Sequence, residues 1–182
     1  MKNLLLLFTT VLLFSCNQPS LTFNEMVDLS QKEALSITPL AKFYEASATK
    51  KQNAIKSVFR GVENSTILVE VTTGGKVKSE VVDSPFLEDV VIYLPVKMTL
   101  EEAEQLLLDA GYGTGVEGVA DWSVVVLRKP LGPEKTAALY IFTTSKGYVS
   151  VNTITGEVES AETLLGENLR VLRIATGLFA FC

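Results

Sequence analysis

Histidine is absent from this 182-residue chain, so any chemistry it performs must fall to carboxylates, hydroxyls, lysines and two cysteines. The commonest general base near neutral pH, the usual zinc ligand, and every Ser-His or Cys-His nucleophile pair are excluded together. A hydrolase built from what remains would need a Ser-Lys pair or two carboxylates. Asp83, Glu88 and Asp89 form an acidic group around Pro85, but such groups are routine on surface loops, and a loop is the expectation here. Gly111, Gly113, Gly115 and Gly118 have the density of a phosphate-binding loop. They follow a helical segment instead of leading from a strand into a helix, and no P-loop lysine accompanies them, so they read as turn and linker. No segment carries the alternating carboxylates and central glycine of a calcium loop. The expectation is a protein that is not an enzyme, with no catalytic residues, metal ligands or cofactor. Its net charge of −5, with no basic stretch, also argues against a nucleic-acid partner.

Cys16 is placed differently. Met1-Lys2-Asn3 supplies one positive charge, and Leu4 to Phe14 runs apolar but for Thr9 and Thr10 before Ser15-Cys16. That is the n-region and h-region of an export signal. As a helix, a run of about eleven residues spans roughly 16 Å against ~30 Å of bilayer core, too short to remain as a transmembrane span. The tetrapeptide Leu13-Phe14-Ser15-Cys16 resembles the lipobox of bacterial lipoproteins, with a branched apolar residue at −3, a small residue at −1 and the acceptor cysteine; Phe14 departs from the usual small or β-branched choice. The resemblance implies that residues 1–15 are a cleaved signal and that Cys16 is acylated. Each buried CH₂ of such chains contributes about 0.8 kcal/mol to membrane attachment. Cys182 is then left without an intramolecular partner, and no disulfide framework is expected. The expected location is the bacterial cell envelope, lipid-anchored, with the periplasmic side of the outer membrane favoured over the inner membrane.

Elements that could carry a site follow from periodicity. Residues 16–22 are a short polar tether containing Pro19. From 23 to 60 the spacing is helical: Phe23, Met26, Val27 and Ser30 share a face, and beyond Thr38-Pro39, a plausible N-cap pair, Leu40, Phe43, Tyr44, Ala48, Ile55 and Phe59 recur at near-helical intervals. Lys50, Lys51, Lys56 and Arg60 would form a solvated face. At Thr66 the period changes to two: Ile67, Val69 and Val71, then Gly74-Gly75, then Val77 and Val81 predict a hairpin with a two-residue glycine turn. Val90 to Leu94 predicts a further strand closed by Pro95. Thr99 and Glu102 form a capping box ahead of the stripe Leu100, Ala103, Leu106, Leu107 and Ala110, ended by Gly111. Strands are expected at 122–127, 136–143 and 148–152, with a turn and short strand at 155–158. In the tail, 161–182, Leu164, Leu165, Leu169, Leu172 and Ala175 would suit a helix, while the β-branched Val171, Ile174 and Thr176 favour a strand covering the sheet's edge, the reading preferred here. The fold class is α+β, helices on one face of an antiparallel sheet, with helix-then-strands occurring twice, at 40–94 and 99–158, as a degenerate duplication would leave it. Two halves, 23–97 and 98–182, divide the chain; the alternative is a single domain over 23–182.

Thr99-Leu100-Glu101-Glu102-Ala103-Glu104, Asp121-Trp122-Ser123-Val124, Leu139-Tyr140-Ile141-Phe142 and Val149 to Val158, ending Asn152-Thr153-Ile154-Thr155-Gly156-Glu157-Val158, together resemble the PepSY domain, with Asn152 where that family usually has Asp. The resemblance implies a non-catalytic module, an inhibitor or chaperone-like partner of a secreted peptidase. Pro95 to Tyr112 is also similar to the start of a PASTA repeat, a muropeptide-binding module. Both imply a binding protein in the envelope. An immunity-type or structural lipoprotein that binds another partner or peptidoglycan is the alternative. Lys129, Pro130, Leu131, Gly132 and Pro133 are the candidate partner contact, because two prolines reduce the ordering entropy lost on binding.

Overall fold

In a computed structural model, residues 20–63, 65–86, 90–131 and 137–160 are described. The first helix, α1 (Phe23–Ile37), starts at a capping box: Thr22 Oγ1 accepts from the Glu25 N–H, and the Glu25 carboxylate accepts from the Thr22 N–H at 2.8 Å. This box lies in the segment read as tether. Phe23, Met26, Val27, Ser30 and Ala34 are buried on one side, which is the face that the spacing predicts.

The helical expectation beyond Thr38 is wrong. Thr38 is the C-cap of α1, its N–H donating to Ala34 O, and residues 42–60 form two strands, β1 (Lys42–Thr49) and β2 (Ala54–Arg60). The pairing shifts register at a bulge between Phe43 and Glu45, so consecutive Phe43 and Tyr44 are both buried. A bulge breaks the period of two that marks a strand, and the apolar spacing left behind imitates a helix.

β3 (Thr66–Thr72) and β4 (Val77–Val82) make the expected hairpin. Its connection is wider than two residues: Thr72 N–H donates to Lys76 O, and Gly75 N–H donates back to Thr72 O. Of the two glycines only Gly75 has positive φ, at 78°. Residues 90–94 do not form a strand; their link to the sheet is a bond from Ile92 N–H to Phe43 O at 2.9 Å. α2 (Leu100–Asp109) carries the predicted capping box, Thr99 N–H to Glu102 Oε2 at 2.7 Å and Glu102 N–H to Thr99 Oγ1 at 3.2 Å. Leu100, Ala103 and Leu107 of its stripe are buried, Leu106 is half-buried, and Ala110 is exposed at the C-cap. Then follow β5 (Val124–Arg128), β6 (Leu139–Thr144), β7 (Gly147–Asn152) and β8 (Val158–Ser160). The tail expectation, residues 161–182 with Cys182, lies outside the described residues.

All eight strands pair antiparallel in the order β4-β3-β2-β1-β5-β6-β7-β8. The chain thus folds as a helix and a four-stranded meander twice, 23–82 and 100–160, with the first strands of the two meanders paired at the centre. The recurrence is one of topology, and its first unit begins at α1, well before residue 40. Alternation places one continuous apolar face across the sheet. One row runs Val69, Ser57, Ala46, Leu127, Tyr140, Val151 and the next Val71, Ile55, Ala48, Val125, Phe142, Val149. Both helices pack on this face, contributing Phe23, Met26, Val27 and Ala34 from α1 and Leu100, Ala103 and Leu107 from α2 to the same core. Each large side chain buried there contributes about 1.5–3 kcal/mol.

Candidate functional site

The strands sort their connections to two ends of the sheet. At one end lie the turns 50–53, 73–76 and 145–146 and the loop 111–122. At the other lie 38–41, 61–65, 83–86, 129–131 and 153–157.

The second end exposes several large apolar side chains among charged ones such as Glu63, Asp83 and Glu157. Leu40 is 69% exposed, Val62 48%, Tyr93 85%, Leu131 51% and Ile154 74%. Leu40 and Val62 lie just beyond the register pair Lys42 and Arg60, and Tyr93 follows the residue bonded to Phe43. Lys129 and Pro130 are half-buried as the chain leaves β5. Of the predicted contact loop, Gly132 and Pro133 lie outside the described residues, as does Cys16. Asp83 is exposed just past β4; Glu88 and Asp89 also lie outside the described residues.

Two interactions in the middle of the fold escaped sequence reasoning. Asn24, near the start of α1, accepts from Leu100 N–H at 3.2 Å and donates to Met98 O at 3.3 Å, while Tyr140 Oη donates to the same Met98 O at 3.1 Å. Burial raises the Tyr140 hydroxyl well above its ordinary pKa, against the opposing bond to Asn24. Trp122 Nε1 donates to Glu104 Oε1 at 2.7 Å, its ring meets Phe142 edge-on at 6.1 Å, and Lys50 Nζ sits 5.2 Å over that ring while donating to Ala120 O. Lys50, read as solvated, therefore anchors a loop. Burial holds the Glu104 carboxyl above its usual range, with the Trp122 bond and Lys50 opposing. Only the Trp122–helix adjacency was foreseeable; the acidic partner was not, because it depends on the path of the 111–122 loop.

That loop is structural. Gly113 bridges Ala120, Thr114 N–H donates to Val119 O, and Lys146 Nζ donates to Gly111 O. Asp121 accepts from both the hydroxyl and the N–H of Ser145, bonds that lower its pKa in that order. None of these groups aims a nucleophile at a base. An open cleft of about 200 Å³ between Asn24, Val27, Leu94, Val96, Thr99 and Leu127 is smaller than the roughly 300–1,000 Å³ of ligand pockets. Among the described residues no three His, Cys, Asp or Glu side chains converge as metal ligands, and no helix is long and apolar enough to cross a membrane.

The chain matches no family model and no curated protein, so neither the PepSY nor the PASTA resemblance gains a family match. Its fold is similar to that of a crystal structure of a putative lipoprotein from Clostridium difficile 630, with a TM-score of 0.54 and 18% identity over 78% of this chain and 91% of that chain. At that identity the likeness defines the class of fold, α+β with helices against an antiparallel sheet, and nothing finer.

Proposed function

We propose that this protein is a lipid-anchored envelope protein that binds another protein and catalyses nothing. The observation that carries the reading is that Leu40, Val62, Leu131 and Ile154, in separate connections at one end of the sheet, and Tyr93, beside the residue bonded to Phe43, are all exposed. Exposed apolar side chains grouped on a soluble domain mark contact surfaces, and aromatic anchors such as Tyr93 dominate such contacts. The Lys129–Leu131 segment belongs to this end, so the contact loop named from its prolines becomes one part of a wider surface. The lipid anchor rests on the lipobox at Cys16, and the fold shared with a putative lipoprotein is compatible with it. Inhibition of a secreted peptidase is the specific form that the PepSY resemblance implies.

The test uses the chain without its signal. Envelope proteins from the same cells are captured on it, and secreted peptidases are assayed for inhibition. Tyr93→Asp and Leu131→Asp should each weaken capture or inhibition at least about tenfold, a loss of roughly 1.4 kcal/mol, with the melting temperature unchanged. Intrinsic hydrolytic turnover abolished by a single carboxylate substitution would overturn the non-enzyme reading.

A further inference from the structure

The end of the sheet opposite the apolar one carries a second surface, and the covalent chain itself says what it faces. Leu21 is pinned there: its N–H donates to Thr73 O at 2.9 Å, and its side chain lies against Gly75 in the β3–β4 turn. Five steps along the backbone lead from Cys16 to Leu21, and a fully extended chain covers at most about 3.6 Å per step, roughly 18 Å in all. If Cys16 bears the lipid, the β3–β4 turn cannot lie farther than that from the bilayer surface. Lys76 stands exposed in this turn. The β1–β2 turn is tied to it by Thr73 N–H donating to Asn53 O and carries exposed Lys51. Lys50, in the same turn, is committed to Ala120 and Trp122, and Lys146 to Gly111 and the Tyr112 ring, which leaves Lys51 and Lys76 as the ammonium groups directed outward. The acids of this end are Glu25, held by the Thr22 cap beside Leu21, Glu70, opposite Lys78 in the β3–β4 ladder, and Asp109, Glu117 and Asp121 of the α2 C-terminus and the 111–122 loop, of which Asp121 is occupied by Ser145.

We infer that the β1–β2 and β3–β4 turns, through Lys51 and Lys76, rest on the anionic lipid headgroups of the membrane that holds Cys16, so that the sheet stands with its apolar end pointing away from the bilayer. The chain has a net charge of −5, so a bilayer of the same sign repels the domain as a whole. The tether, together with the two turn lysines it brings to the surface, decides which way it turns. The range of the effect is set by the screening length, about 8–10 Å at physiological salt, and a tether reaching roughly 18 Å lets these two turns enter it.

The inference rests on the lipid anchor of the proposed function, and the experiment separates the two. Mass spectrometry of the purified chain first reports whether Cys16 is acylated. The acylated chain is placed in vesicles of phosphatidylethanolamine with phosphatidylglycerol, or of phosphatidylcholine alone, and its lysines are modified with a neutral amine acylating reagent and read peptide by peptide. A surface potential of about −30 mV raises local proton activity about threefold and lowers the reactive, unprotonated amine by the same factor. Lys51 and Lys76 should react about threefold more slowly on the anionic vesicles, high salt should restore them, and Lys32 and Lys42, exposed toward the other end, should not change. Equal slowing of all four, or slowing of Lys32 and Lys42 instead, overturns the orientation. If Cys16 carries no lipid, the anchor reading fails by itself. The chain from Cys16, with Cys182→Ser, is then coupled through that thiol to a maleimide lipid, and the same four rates decide whether the turn surface recognises anionic headgroups.

Discussion

The two halves share an order of elements and differ in how the helix meets its strands. α1 returns to β1 through four residues and lies over long strands of eight, seven, seven and six residues. Beneath it the packing is close and partly polar: Ser30 Oγ donates to Ser57 Oγ at 2.9 Å, with Ala46 in the same row. α2 has ten residues, reaches β5 only through the long loop 110–123, and faces shorter strands. There aromatic rings fill the space, with Tyr140 and Phe142 fully buried and Trp122 edge-on to Phe142. The first half buries a ring pair of its own, Phe43 and Phe59 at 5.3 Å, so it is the serine contact beneath α1 that sets the two cores apart, both of them close-packed with few voids. The halves are not independent, because Phe23 of α1 packs edge-on against Tyr140 at 5.9 Å and Asn24 caps the start of α2.

The largest effects should break the comparison if it is wrong. Phe142→Ala in the second half and Phe59→Ala in the first should each cost about 3–5 kcal/mol in urea unfolding. Because one sheet and one core join the halves, both should shift a single transition; two separate transitions would show the halves to be autonomous. Next, Leu107→Ala should cost about 2–5 kcal/mol, and Leu106→Ala distinctly less, since Leu107 is fully buried and Leu106 is not. Equal losses would mean that α2 sits rotated from the position described.

Asn24→Ala removes the acceptor of Leu100 N–H and the donor to Met98 O, and should cost about 1–3 kcal/mol. A neutral result would remove the link between the halves. The smallest effect is one of pH. Glu104 has a raised pKa in the fold, so its favourable contribution is complete below the unfolded pKa and is lost as pH rises through the folded value. Asp121 has a lowered pKa, so its contribution is present above the unfolded value and is lost as pH falls through the folded one. Relative to wild type, Glu104→Gln should gain melting temperature as pH climbs from about 4 to 7, and Asp121→Asn should lose it as pH climbs toward about 4 and hold level above that. Parallel profiles for the two variants would contradict the environments assigned to them.

Local chemistry determined what could be read without a structure. The Thr99 and Glu102 capping box, the β3–β4 hairpin, and strands β5, β6 and β7 satisfy their own signals within a few residues, so propensity, period and turn chemistry agree there. The box at Thr22 and Glu25 was equally legible and was hidden by reading Asn17 to Thr22 as tether. What the sequence could not determine depends on neighbours distant along the chain. β1 and β2 look helical because a bulge at Phe43 and Glu45 and small residues beneath α1 disturb the alternation, and they become strands because β3 and β5 lie ready to pair with them. Val90 to Leu94 has the composition of a strand yet among the described residues finds one backbone partner in the sheet, Phe43, and a strand needs a ladder. The apolar end and the lysine turns follow the same rule: each residue is ordinary in its own segment, and only the antiparallel order of eight strands carries Leu40, Val62, Tyr93 and Leu131 to one end and Lys51, Lys76 and the tethered Leu21 to the other.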